Sequence, residues 1–268
     1  MKIYRYADAT YRAAYAVLEE DGRFRSVLGD PFSERFEIGD PIIAPEIFLS
    51  PVEPRVVIGI ALNYRLHAEE SGRGVPERPT MFMKLPSSVQ RPHGPILLPH
   101  RARSEKVDYE GELAVVIGKR CKNVPRQLAL DYVFGYCCAN DVSARDWQKE
   151  WGGGQFCRGK SFDTFCPLGP CLVTADEIPD PGNLRLRTRV NGELMQDSST
   201  SDLVFDVSTL IAFLSASTTL EPNTVILTGT PSGVGEAREP PRFLRDGDSV
   251  EVEIEGIGTL VNPVQVEE

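Results

Sequence analysis

Nowhere does this chain hold a run approaching the roughly 20 apolar residues a membrane-spanning helix requires. It also lacks an excess of positive charge: 29 Lys and Arg stand against 39 Asp and Glu, a formal net charge of -10. That balance excludes a general phosphate-backbone binder, which needs a basic patch. It leaves small-molecule substrates open, because these sample local rather than net charge. The opening stretch MKIYRYADATYRAA has no apolar signal core, so the expectation is a cytoplasmic protein. The six cysteines, at 121, 137, 138, 157, 166 and 171, form no CxxC pair, and two are adjacent. Neither a zinc site nor a disulfide framework is expected, and the cysteines read as small core hydrophobes. Histidine is scarce, found only at 67, 93 and 100, and there is no internal repeat or low-complexity tract.

What is present is an ordinary globular composition, 41% hydrophobic and 25% charged, over 268 residues. Residues 1–53 read as a small N-terminal domain of short strands and turns. The stretch DPIIAPEIFLSPVEPR, with four prolines in 16 residues, links it to a larger domain over 54–268. In the larger domain VVIGIAL, PTMFMKLPSS, LAVVIG, VFGYCCAND and TVIL read as strands, and LRLRTRVNGELMQD as a hairpin about Asn191-Gly192. VSTLIAFL places Val207, Leu210, Ile211 and Leu214 on one helical face, while VPRQLALDYV reads as a helix with Pro125 in its first turn. DSVEVEIEGIGTL reads as a last strand. Strands outnumber helices without regular alternation, which predicts a β-rich α+β fold and not a doubly wound sheet.

Candidate chemistry begins with VDYEGELAVVI, where Asp108, Glu110 and Glu112 fall at every second position and so share a strand face. Alternation alone is weak, since Glu251, Glu253 and Glu255 do the same around Val250, Val252 and Ile254, the pattern of a half-exposed strand. Residues 108–112 differ because they run directly into the buried LAVVIG, and because Gly111 permits close approach. Acids at the mouth of a buried strand need protons or a cation. Magnesium accepts such hard oxygen ligands. Asp141, at the end of GYCCAND, is a third candidate ligand, or else a turn or helix-cap aspartate.

His67 and Glu70 lie three apart, close enough on a helix for Glu70 to orient a general-base histidine, though surface His–Glu pairs have the same spacing. His93 and His100 look like loop residues. GTPSGVG follows a strand but lacks the Lys-Ser/Thr of a nucleotide-binding loop. Its glycines admit close approach of a substrate, and Thr230 offers a hydroxyl. Lys160 sits in a glycine-flanked turn, RGKSFDTF, where a solvated lysine would also be at home.

Taken together and in order, NYRLHAEE, PTMFMKLPSS, VDYEGELAVVIGK, GYCCANDVSARDWQ, RGKSFDTFCPLGP, VNGELMQD and LTGTPSGVG resemble the fumarylacetoacetate hydrolase family over about residues 55–264. The resemblance implies a mixed β-sandwich roll and commonly a homodimer. It implies Mg²⁺ or Mn²⁺ on Glu110, Glu112 and Asp141, with Asp108 outside the ligand set. It further implies a catalytic His67–Glu70 dyad on a lid, with Lys160 near metal and substrate. Arg145, Gln148, Lys160 and Thr230 would contact a 2-oxo acid. The expected reaction is metal-dependent hydrolysis of a C–C bond in an acylpyruvate or fumarylpyruvate. Two alternatives use the same enolate: decarboxylation of an oxaloacetate-like acid, and isomerase or hydratase chemistry of the 2-hydroxyhepta-2,4-diene-1,7-dioate type. A non-catalytic homologue binding metal and oxo acid is the alternative of another class. The glycine-rich KEWGGGQFCRGK departs from the family pattern and leaves the substrate open.

Overall fold

The structure, a computed structural model, describes residues 1–33 and 35–268. Its larger sheet is organised around the Gly111–Ile117 strand, all of whose residues are buried. A continuous aliphatic run such as LAVVI is what a strand covered on both faces requires. Val133–Asn140 and Thr224–Leu227 flank it, both antiparallel. Thr224–Leu227 pairs in parallel with Val56–Ala61, which carries Thr80–Lys84 at the sheet edge. On the other side, Val133–Asn140 leads to Cys166–Thr174 and then to Lys2–Ala7, the first of the N-terminal strands.

A second sheet has five strands in the order Glu193–Ser199, Arg185–Val190, Ser249–Ile254, Gly258–Val266 and Ile96–Leu98. It packs on the first through Leu186, Val252, Ile254 and Leu260, which share a core with Leu113, Val115, Tyr136 and Cys138. Among the described residues three α-helices occur, all short: α1 (Arg65–Glu70), α2 (Cys157–Lys160) and α3 (Val207–Ser215). The Asp206 side chain caps α3 by accepting the Thr209 amide at 2.8 Å. The predicted apolar face, Val207, Leu210, Ile211 and Leu214, enters the inter-sheet core. Each of these side chains contributes about 1.5–3 kcal/mol by leaving water. The result is the β-rich α+β roll that the sequence predicts.

Two local expectations are corrected. Residues 249–266 are two antiparallel strands and not one, turning at Gly256 between Ser249–Ile254 and Gly258–Val266. Residues Arg126–Tyr132 form tight 3₁₀ turns instead of an α-helix, with Pro125 just outside the first turn. The hairpin about Asn191-Gly192 is present. Val250, Val252 and Ile254 are buried while Glu251 and Glu253 lie partly exposed, as alternation requires. All six cysteines are free thiols; five are buried, and Cys157 is half-buried. No helix among the described residues is long and apolar enough to cross a membrane.

Candidate active site

Register brings the acids together. Gly111 opposes Asn140 across the antiparallel pair, so Asp141 emerges beside Glu110 and its amide donates to the Glu110 carbonyl at 2.8 Å. One carboxylate oxygen each of Glu110, Glu112 and Asp141 lies within 4.8 Å of the others, and all three residues are buried. Asp108 does not join them. It belongs to a separate two-residue strand, Val107–Asp108, paired with Ser143–Ala144. Gly111 is obligatory for packing: a Cβ there would stand 2.1 Å from Thr188 Oγ1. The close approach expected at Gly111 is therefore made by a side chain of the second sheet.

Three buried cations face the acids. Lys160 Nζ donates to Glu110 Oε2 at 2.7 Å and to Asp141 Oδ2 at 2.6 Å. Arg145 Nη1 lies 2.6 Å from Glu110 Oε1. Lys84 Nζ donates to Asp141 Oδ1 at 2.5 Å and to the Val142 carbonyl at 3.2 Å. Among the described residues Glu112 has only a backbone partner, the Gly229 amide at 2.7 Å.

These contacts split the acids electrostatically. Burial alone raises the Glu110 carboxyl, but the charges of Lys160 and Arg145 outweigh it and hold Glu110 below the usual range. Burial, reinforced by the charges of Asp141 and Glu110, pushes Glu112 well above that range. Burial disfavours the Lys160 ammonium, yet Asp141 and Glu110 more than offset this and keep it charged. A buried carboxyl short of a counter-charge, within reach of two other carboxylates, is a donor set that fits a hard divalent cation.

The dyad lies in the same cavity, which measures about 270 Å³ and is lined by His67, Glu70, Glu110, Glu112 and Lys160 among others. His67 Nδ1 is 3.1 Å from Glu70 Oε2. The other Glu70 oxygen accepts the Gly233 amide at 2.9 Å, which ties α1 to the glycine loop. Arg145 and Gln148 also line the cavity, and Arg145 Nη1 donates to Gln148 Oε1 at 3.0 Å. The backbone at Asp146–Glu150 makes a single π turn, a distortion common at functional sites. Thr230 lines the cavity too, but its hydroxyl donates to the Gly111 carbonyl at 3.0 Å and accepts from Gln196 Nε2 at 2.8 Å. His93 and His100 lie outside this cavity.

Sequence reasoning missed Lys84, 1% exposed, while Met83 beside it is 51% exposed. The edge strand turns its lysine inward and its methionines outward, the reverse of what side-chain polarity predicts. The one available cue is that Lys84 alternates with Phe82, whose ring Lys160 Nζ overlies at 4.9 Å.

Such a roll, with a buried carboxylate set and a His–Glu pair in one small cavity, defines an enzyme class acting on small molecules. The fumarylacetoacetate (FAA) hydrolase C-terminal family model matches residues 56–265, and the chain belongs to the fumarylacetoacetate hydrolase family. Oxaloacetate tautomerase fahd2, mitochondrial, of Xenopus laevis is 51% identical over 217 residues, covering 81% of this chain and 67% of that protein. The solved 5-carboxymethyl-2-hydroxymuconate delta-isomerase of Mycobacterium smegmatis superposes with a TM-score of 0.85 at 39% identity, with both chains fully covered. The fumarylacetoacetate hydrolase of Exiguobacterium antarcticum gives 0.88 at 40% identity, again over both full chains.

Proposed function

We propose that this protein moves a proton between carbon and oxygen in a small 2-oxo acid, interconverting its keto and enol forms. The observation that carries the reading is the His67–Glu70 pair, 3.1 Å apart in the cavity that also holds the carboxylate set. A divalent cation, Mg²⁺ or Mn²⁺, held by Glu110, Glu112 and Asp141 would polarise the 2-oxo group and stabilise enolate charge. Glu70, fixed by the Gly233 amide, takes the Nδ1 proton of His67 as a hydrogen bond and leaves Nε2 as the base. His67 Nε2 would remove the C3 proton to leave the enolate and then deliver that proton to the C2 oxygen, completing the enol, and the reverse direction retraces both transfers. Lys160 supplies positive charge beside the developing oxyanion. Gln148, whose Oε1 accepts Arg145 Nη1 and which lines the cavity, would orient the substrate carboxylate through its amide N–H₂.

Names of relatives support the choice of proton transfer, since a tautomerase and a double-bond isomerase both perform it. Hydrolysis of a 2,4-dioxo acid is the second reading, because the same dyad can deprotonate a water instead of a C–H bond. Deuterium incorporation at C3 of oxaloacetate in D₂O, followed by NMR with Mg²⁺ and with chelator, tests the first reading. Exchange no faster than with free Mg²⁺ overturns it. Release of pyruvate and acetate from acetylpyruvate supports the second.

We also propose a homodimer, which sedimentation would test. For location, the sequence reading proposes the cytoplasm, whereas the Xenopus relative's name favours mitochondria; subcellular fractionation separates the two.

A further inference from the structure

We infer that Gln196 is a positioning residue: together with Thr230 it clamps the backbone of Gly111 and so sets the spacing of the carboxylates on either side. This rests on the reading of Glu110, Glu112 and Asp141 as a cation site.

The sheet leaves a gap at Gly111. Along an antiparallel pair, residues alternate between exchanging backbone hydrogen bonds with the partner strand and turning those groups the other way. The Asp141 amide donates to the Glu110 carbonyl, so Gly111, one place on, turns its amide and carbonyl away from Val133–Asn140. They face the side where Thr224–Leu227 runs, but that strand pairs only with Ala114, Val115 and Val116. Just beyond it, the Thr228 amide still donates to the Leu113 carbonyl at 3.1 Å. In the same register Thr230 would complete the ladder opposite Gly111. Gly229, at φ +103°, turns the chain into the glycine loop instead.

Two side chains take the place of the missing strand. The Gly111 amide donates to Gln196 Oε1 at 3.0 Å, and the Gly111 carbonyl accepts the Thr230 hydroxyl at 3.0 Å. Gln196 Nε2 closes the ring, donating to Thr230 Oγ1 at 2.8 Å and to the Pro231 carbonyl at 2.9 Å. A primary amide supplies the acceptor and both donors that this arrangement uses. Gln196 is 1% exposed and Thr230 4%, so a lost bond here leaves a buried polar group without a partner. Gln196 reaches in from the edge strand of the second sheet, where it stands opposite Thr188, the residue that packs over Gly111.

The clamp acts on the acids through what it holds. Glu110 and Glu112 flank Gly111 directly. Thr230 and Pro231 belong to the loop whose Gly229 amide is bound to Glu112 Oε2. One side chain therefore fixes the backbone that carries two of the acids and the loop that orients one of them. Gln196 itself lies outside the cavity lining. The rigidity of an oxygen donor set is one of the properties that decide how tightly it holds a hard cation.

The test titrates the full-length, metal-free protein with Mn²⁺ alone by calorimetry. Gln196→Met keeps the bulk and deletes the amide. It should weaken Mn²⁺ binding roughly 10- to 100-fold, as loss of a group that orients a ligand does. Thr230→Val should weaken it comparably, and Thr230→Ser, which keeps the hydroxyl, should recover most of the loss. The double variant Gln196→Met/Thr230→Val should lose no more than the worse single, because both cut one unit. With no metal present, the Gly111 amide of Gln196→Met should exchange in D₂O at least about 10-fold faster than in wild type, while the Val115 and Val116 amides keep their rates. Unchanged Mn²⁺ affinity in Gln196→Met overturns the inference, because a purely structural residue would lower Tm alone. So do losses that add in the double variant, equal affinities for Thr230→Val and Thr230→Ser, or a Gly111 amide exchanging at the wild-type rate. If Gln196→Met does not fold, the two Thr230 variants decide by the same criteria. A wild type that takes up no Mn²⁺ overturns the cation reading instead, and the exchange rates still decide whether Gln196 clamps Gly111.

Discussion

Asp108 and Arg145 meet across the floor of the site, where one carboxylate oxygen of Asp108 accepts Arg145 Nε at 2.9 Å and Nη2 at 2.8 Å. Both side chains are buried. Asp108 also accepts the Gly235 amide at 2.8 Å and the Glu236 amide at 3.0 Å, so one carboxylate positions both Arg145 and the end of the glycine loop. Asp108→Asn presents an amide N–H₂ to the guanidinium and removes one of the two close buried carboxylates on Arg145, the other being Glu110. Breaking a buried pair costs about 3–5 kcal/mol. The expected result is a lowered urea midpoint at unchanged m-value, together with a fall in kcat. A midpoint equal to that of wild type would show that the pair does not hold the floor.

The opposite pKa directions of Glu110 and Glu112 give a signed pH dependence. Glu112 is raised in the folded state. Its stabilising contribution is present below the ordinary glutamate value of 4.5 and is lost as pH rises toward the folded value. Without divalent cation, Glu112 therefore makes the protein less stable as pH rises above the ordinary range, and Glu112→Gln removes that component. Cation binding displaces the proton, so Mg²⁺ affinity rises with pH and binding releases protons. Calorimetry in buffers of different ionisation enthalpy counts them. Zero proton release between pH 5 and 8, a window of roughly neutral conditions, contradicts the raised value.

How much of this was legible in sequence depended on whether a residue's partner was local. Glu110 and Glu112 could be read because a strand repeats every two residues and LAVVIG announced its burial. Asp141 could be placed because GYCCAND reads as a strand ending in the acid. His67 and Glu70 are one helical turn apart. Lys84 was not legible, because its partner Asp141 lies 57 residues away and its strand exposes methionines. Asp108 looked like a third member of the acidic face, yet the chain breaks between Val107–Asp108 and Gly111–Ile117 and aims it at Arg145. That break has no signature in alternation. The turn at Gly256 has a cue in EGIG, but hydrophobic alternation resumes beyond it, so alternation alone does not separate the two strands.

The dyad predicts a separation between chemistry and metal binding. His67→Ala should lower kcat by roughly 10²- to 10⁴-fold while leaving Mg²⁺ affinity unchanged, because His67 offers no oxygen to the carboxylate set. Glu70→Gln should reduce kcat less, since the amide can still accept from Nδ1 but no longer stabilises the imidazolium. Equal C3 exchange rates for wild type and His67→Ala would remove the histidine from the mechanism.

Lys84 gives a prediction in which the cation itself changes the answer. With no divalent ion bound, Lys84 and Lys160 are the basic groups on Asp141, and Lys84 is wholly enclosed. Lys84→Met keeps the length of the side chain and much of its volume but deletes the charge, leaving Asp141 with one ammonium instead of two. The metal-free variant should be destabilised by about 3–5 kcal/mol, the cost of removing one member of a buried pair. A bound Mg²⁺ would supply the missing positive charge to the same carboxylates, so saturating Mg²⁺ should recover most of the loss in Tm. It should raise the variant's Tm by more than it raises that of wild type. If Mg²⁺ shifts both proteins equally, Lys84 acts through packing and not through charge. The lysine would then belong to the scaffold of the site and not to its electrostatics.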